Sequence, residues 1–62
     1  MWVTTSAADT KTKIMRTARR LFARNGYAPT SVDTIVKACG VSKGTFYWHF
    51  EGKAALFLDL IR

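Results

Sequence analysis

The chain has 62 residues, ten Lys and Arg against four Asp and Glu, a formal net charge of +6 and a pI near 10.1. That length admits one small domain near the lower limit of independent folding, and a hydrophobic content of 48% is too high for a disordered tail. No apolar run reaches transmembrane length, the start "MWVTTSAADT" lacks the layout of a secretion signal, and the one cysteine, Cys39, makes neither a disulfide framework nor a metal site by itself.

Residues 1–9 are expected to form a flexible N-terminal arm, with one domain over 10–62. The domain shows no sustained period-two alternation and no Asn-Gly or Asp-Gly hairpin, so it is predicted to be all-α. The first helix is predicted from Thr10 to Asn25, capped by Asp9 or Thr10 and closed at Gly26. Ile14, Ala18, Leu21 and Phe22 form its apolar stripe, and Lys13, Arg16, Arg20 and Arg24 its opposite face.

The loop "GYAPTS" carries Pro29 as punctuation. Thr30-Ser31-Val32-Asp33 then reads as a capping box with Asp33 in the reciprocal position. Val32, Ile35 and Val36 face inward on a short second helix that closes at Cys39 and Gly40, where a left-handed residue permits a sharp turn. Ser42 caps a third helix running from Lys43 to His49 or Phe50. Gly52 permits another break, and "KAALFLDLIR" begins a fourth helix with Leu56, Phe57, Leu60 and Ile61 on its apolar side. The architecture expected is a three-helix bundle with a helix-turn-helix made by helices two and three, plus the start of a fourth helix.

The third helix holds most of the rings, and its geometry sorts them. At about 100° per residue, Phe46 and Phe50 fall about 40° apart on one stripe, while Gly44, Thr45 and Trp48 fall on the opposite side and Tyr47 and His49 on the flanks. A small bundle buries one face of such a helix, and the two Phe residues are the natural choice. Trp48 then points out. Glycine, a small hydroxyl and a flat ring suit a DNA major groove: Gly44 admits close approach, Thr45 hydrogen-bonds a base edge or phosphate, and Trp48 presses on thymine methyls. Tyr47 and His49 are placed for phosphates on the groove walls, and Lys43 reaches a base or phosphate from the helix start. Geometry alone also leaves Trp48 half-buried against the first or fourth helix, Tyr47 closing the core, or His49 hydrogen-bonded to a helix end.

The stretch "TARRLFARNGYAPTSVDTIVKACGVSKGTFYWHFEGKAALF" resembles the DNA-binding domain of the tetracycline-repressor (TetR) family of bacterial transcription regulators, over roughly residues 14–60. The resemblance is carried by Ala18 and Phe22, Gly26-Tyr27, Thr30-Ser31-Val32, Ile35, Gly40-Val41-Ser42, Gly44-Thr45-Phe46-Tyr47, His49-Phe50, Lys53 and Leu56. It implies that the third helix is the recognition helix, with Lys43, Gly44, Thr45 and Trp48 at bases or nearby backbone. It also implies phosphate contacts by Thr30, Ser31, Ser42, Tyr47, His49 and Lys53. Val36 and Cys39 stand where such proteins usually have alanine, and Ala54 where an acidic residue is common.

The function expected from the resemblance is sequence-specific binding of double-stranded DNA by a cytoplasmic, nucleoid-associated bacterial regulator, as a repressor. Its operator is expected to be palindromic. A homodimer and a small-molecule effector are expected through a larger C-terminal helical domain absent from this chain, which is expected to be a fragment. The residues taken alone leave open a helical protein-interaction module or a binder of anionic membranes. Against the membrane, the basic residues are spread over several helices and Gly and Pro divide the chain into corners. No catalytic residues, cofactor or metal are expected, because no carboxylate pair, cysteine–histidine pair or phosphate-cradling glycine loop can be assembled.

Overall fold

A computed structural model describes residues 7–62. Four helices follow in order: α1 (Ala7–Asn25), α2 (Val32–Cys39), α3 (Lys43–His49) and α4 (Lys53–Ile61). The described residues contain no strand, in agreement with the all-α expectation.

α1 begins three residues before the expected Thr10, so Asp9 lies inside its first turn rather than capping it. Alanines are the best helix formers, which favours extending the helix through Ala7 and Ala8, and an acidic side chain in the first turn complements the helix dipole. Residues 1–6 of the expected arm lie outside the described residues.

The first corner corrects the expected cap of α2. Ser31, not Thr30, is the N-cap, and its hydroxyl accepts a hydrogen bond from the Thr34 amide at 3.1 Å. Thr30 turns inward instead, and its hydroxyl donates to the Gly26 carbonyl at 2.7 Å. Gly26 itself is left-handed, with φ of 93°, and its amide closes α1 on the Phe22 carbonyl at 2.9 Å.

The second corner is as expected. Gly40 sits at φ 79° and ψ 26°, a conformation in which a side chain would be strained. Its amide and that of Val41 both donate to the Val36 carbonyl, at 2.8 and 3.2 Å, which ends α2 abruptly. Two residues later Ser42 starts α3 by accepting from the Thr45 amide at 3.0 Å. The spacing Ser-x-x-Thr therefore caps both helices of the helix-turn-helix.

The core brings all four helices together. Ile14 and Ala18 of α1 meet Ile35, Val36 and Cys39 of α2, Phe46 of α3, Phe50 at its end, and Leu56 of α4. Phe46 is fully buried, and burial of a side chain that size contributes roughly 1.5–3 kcal/mol. Phe22 and Leu21, expected in the same stripe, are only partly buried at the edge of this cluster. Phe22 belongs instead to a satellite of rings, 5.1 Å from Tyr27 and 5.9 Å from Phe57. Leu60 also packs on the core margin, whereas Leu58 and Ile61 of α4 remain exposed.

Candidate nucleic-acid interface

α3 is amphipathic in the sense expected. Phe46 and Phe50 take the inner face, their ring centres 5.6 Å apart. Trp48 projects outward with 75% of its surface exposed, and Tyr47 is half exposed beside it. His49 is half-buried, its ring edge-on to that of Trp48 at 5.0 Å. The half-buried alternative for Trp48 is thereby removed. Ser42, Gly44, Thr45, Trp48 and His49 line one open surface hollow of about 400 Å³.

Gly44 is informative for what it does not touch. A methyl group built there would meet only the Ser42 hydroxyl, at 3.7 Å, an ordinary contact. A glycine inside a helix costs roughly 0.5–1 kcal/mol relative to alanine. The packing of the folded chain makes no steric demand for that cost.

The capping serines bear on donor capacity. The Ser42 hydroxyl accepts from the Thr45 amide and donates to Thr45 Oγ1 at 3.0 Å. Its hydrogen is therefore committed within the cap, and a phosphate reached by Ser42 has to compete for it. Thr45, receiving that bond, keeps its own hydroxyl hydrogen for another acceptor. Ser31 and Thr34 make the matching pair on α2, with their hydroxyl oxygens 3.0 Å apart at an exposed position.

Three further residues expected at the interface also have internal partners. Thr30 is 1% exposed with its hydroxyl bound to Gly26, so its side chain has no surface to offer a phosphate and it leaves the site. Lys53 directs its ammonium at the carbonyls of Tyr27, 2.8 Å away, and Ala28, 3.4 Å away, and lies 4.1 Å from the centre of the Tyr27 ring. A phosphate held by Lys53 must share that ammonium with the loop. Lys43 pairs with Asp33 of α2, Nζ to Oδ1 at 2.8 Å, with both side chains largely exposed. The hydrogen bond and charge of Lys43 hold the Asp33 carboxyl below the usual carboxylate range, and Asp33 raises the Lys43 ammonium in return.

Sequence reasoning missed Asp33 and Thr34 as neighbours of this face. The signal for Thr34 was present, because Ser31-x-x-Thr34 repeats as Ser42-x-x-Thr45 eleven positions on. Asp33 was read only as a capping residue, and its contact with Lys43 depends on how α2 and α3 dock. Among the described residues no group of three His, Cys, Asp or Glu side chains is placed to hold a metal ion, and no helix is long and apolar enough to cross a membrane.

Residues 14–60 match the family described as bacterial regulatory proteins, tetR family. Over 51 residues the chain is 48% identical to the uncharacterized HTH-type transcriptional regulator YerO of Bacillus subtilis (strain 168), covering 82% of this chain and 18% of that protein. It is 43% identical over 54 residues to the HTH-type transcriptional regulator AcrR of Shigella flexneri, covering 87% and 25%. To the HTH-type transcriptional regulator QacR of Staphylococcus aureus (strain Mu50 / ATCC 700699) it is 45% identical over 51 residues, covering 82% and 27%. The chain thus spans about a quarter or less of the length of these relatives.

Proposed function

The chain belongs to the tetR family of bacterial regulatory proteins, and on that premise we propose that it is the sequence-specific, double-stranded-DNA-binding part of a transcriptional repressor. α3 enters the major groove with Gly44, Thr45 and Trp48 toward the base edges. Lys43 reaches a base or the adjacent backbone from the start of α3. Ser31, Tyr47 and His49 touch phosphates on either side, Ser42 and Lys53 completing the set at the expense of their internal partners. The observation that carries this reading is the outward, 75% exposed Trp48, on the side of α3 opposite the buried rings of Phe46 and Phe50. An apolar ring that size, held in water beside a hydroxyl and a glycine, has a base stack's edge as a fitting partner.

The role is one of binding rather than catalysis. In the whole regulator two copies act as a dimer on a palindromic operator, since linking two half-sites raises affinity through effective concentration. Dimer formation and binding of a small-molecule effector belong to the parts of such proteins beyond the matched segment. The exposed Leu58 and Ile61 on α4 support an apolar contact along that helix with those parts. The setting is the bacterial cytoplasm, at the nucleoid.

Selection of bound sequences from a pool of random duplexes tests this. The chain alone should enrich a short half-site weakly. The chain fused to an unrelated dimerising helix should enrich an inverted repeat of it, far more tightly. Enrichment of no sequence by either form would overturn the reading.

A further inference from the structure

We propose that Asp33 is a specificity-determining residue of this domain: by pairing with Lys43 at the start of α3 it withholds that ammonium from any duplex that offers only phosphates. This rests on the DNA-binding reading of the same face.

Lys43 is the first residue of α3 and Asp33 lies in the first turn of α2, and the two heads meet at 2.8 Å with 59% and 62% of their side chains exposed. Both are therefore on the surface, where the start of α2 meets the start of α3. The pair's charges offset each other there, and the hydroxyls next to it in sequence are neutral and paired among themselves, Ser31 with Thr34 and Ser42 with Thr45. Asp33 also feels the nearby charge of Lys37.

A lysine without that partner would bind phosphate on every sequence, adding affinity without discrimination. With Asp33 present, Lys43 reaches DNA in one of two ways. It can leave the carboxylate, which strands a negative charge beside a polyanion. It can instead carry the carboxylate along, which neutralises the contact. A generic phosphate does not offset either cost. A correctly placed acceptor pair such as guanine O6 and N7, met while the rest of α3 is seated, does. The acidic residue thus weakens the mismatched complex more than the matched one, a repulsive element of the kind that specificity requires.

The test compares the duplex enriched from a random pool with the unselected pool itself, at several salt concentrations. Four proteins are needed: the parent chain, Asp33→Asn, Lys43→Ala and the double variant, each shown to be helical by circular dichroism. Asp33→Asn should tighten binding to the unselected pool and steepen its salt dependence by about one unit, one more counterion being displaced. The ratio of selected to unselected affinity should fall by roughly two- to fivefold, the size of an exposed ion pair. In the Lys43→Ala background the same substitution should leave that ratio unchanged. A uniform gain on both duplexes in the parent background would overturn the proposal and make Asp33 a general repeller of DNA. A fall of the ratio in both backgrounds would overturn it too, because Lys43 would not be the group withheld. Failure of the parent chain to enrich any sequence would instead overturn the DNA reading beneath it.

Discussion

The ammonium of Lys53 lies 2.8 Å from the carbonyl oxygen of Tyr27 and 4.1 Å from the centre of that residue's ring. One side chain at the start of α4 thus ties down the α1–α2 loop, 26 residues earlier. The same tyrosine ring stacks at a tilt on Phe22 and on Phe57, so the lysine closes a cluster that joins α1 to α4.

Lys53→Ala should therefore destabilise the fold by about 1–2 kcal/mol, because it removes a charge-assisted hydrogen bond and a cation–ring contact together. Lys37→Ala, at an exposed position on α2, should change stability by less than about 0.5 kcal/mol. Urea denaturation of the two variants measures the difference, and equal midpoints would mean that the loop contact adds nothing.

Core depth predicts an order of effects among the rings. Phe46→Ala should cost about 3–5 kcal/mol, enough to abolish folding in a domain this small. Phe22→Ala, at the partly buried edge, should cost clearly less and leave a folded chain. Thermal melting by circular dichroism would reverse the assignment of α3's faces if Phe46→Ala melted like the parent.

Gly44 separates stability from binding. Gly44→Ala should stabilise α3 by up to about 1 kcal/mol, since the added methyl group meets only an ordinary contact at 3.7 Å. The same variant should bind the selected duplex more weakly, because that methyl group stands where the groove floor approaches. Tighter binding in step with the higher melting temperature would show that nothing approaches α3 closely there.

The Asp33–Lys43 pair predicts a pH window. Asp33 has a lowered folded-state pKa, so its contribution is present above the unfolded carboxylate pKa and is lost as pH falls through the folded one. Lys43 has a raised folded-state pKa, so its contribution is present below the unfolded value and is lost as pH rises through the folded one. The stability difference between the parent and Asp33→Asn should be flat across neutral pH and shrink at both extremes. A difference that varied across the neutral range would point to another titrating partner.

Much of this was legible in the sequence, and what was not has physical causes. The faces of α3 follow from a rotation of about 100° per residue acting on two Phe residues four apart. The turn at Gly40 and the cap at Ser42 follow from local chemistry. The cap of α2 did not, because Thr30-Ser31-Val32-Asp33-Thr34 admits two registers, and the Gly26 carbonyl decided between them by taking the Thr30 hydroxyl. Phe22 lies on the right stripe of α1 but near its end, and helical periodicity does not say where the facing helices stop. The partners of Lys43 and Lys53 come from other elements of the fold, so their sequence neighbours carried no sign of them. From the start of α3, Lys43 is expected to reach a base or phosphate, and the family resemblance implies a phosphate for Lys53.

The outward ring of Trp48 is tested most directly by the affinity of Trp48→Ala for the selected duplex against the unselected pool, across a range of salt. No charge is removed, so the salt slope should hold, while roughly 1–3 kcal/mol should be lost on the selected duplex and much less on the pool. A folded Trp48→Ala that kept full discrimination would contradict the placement of α3 in the groove.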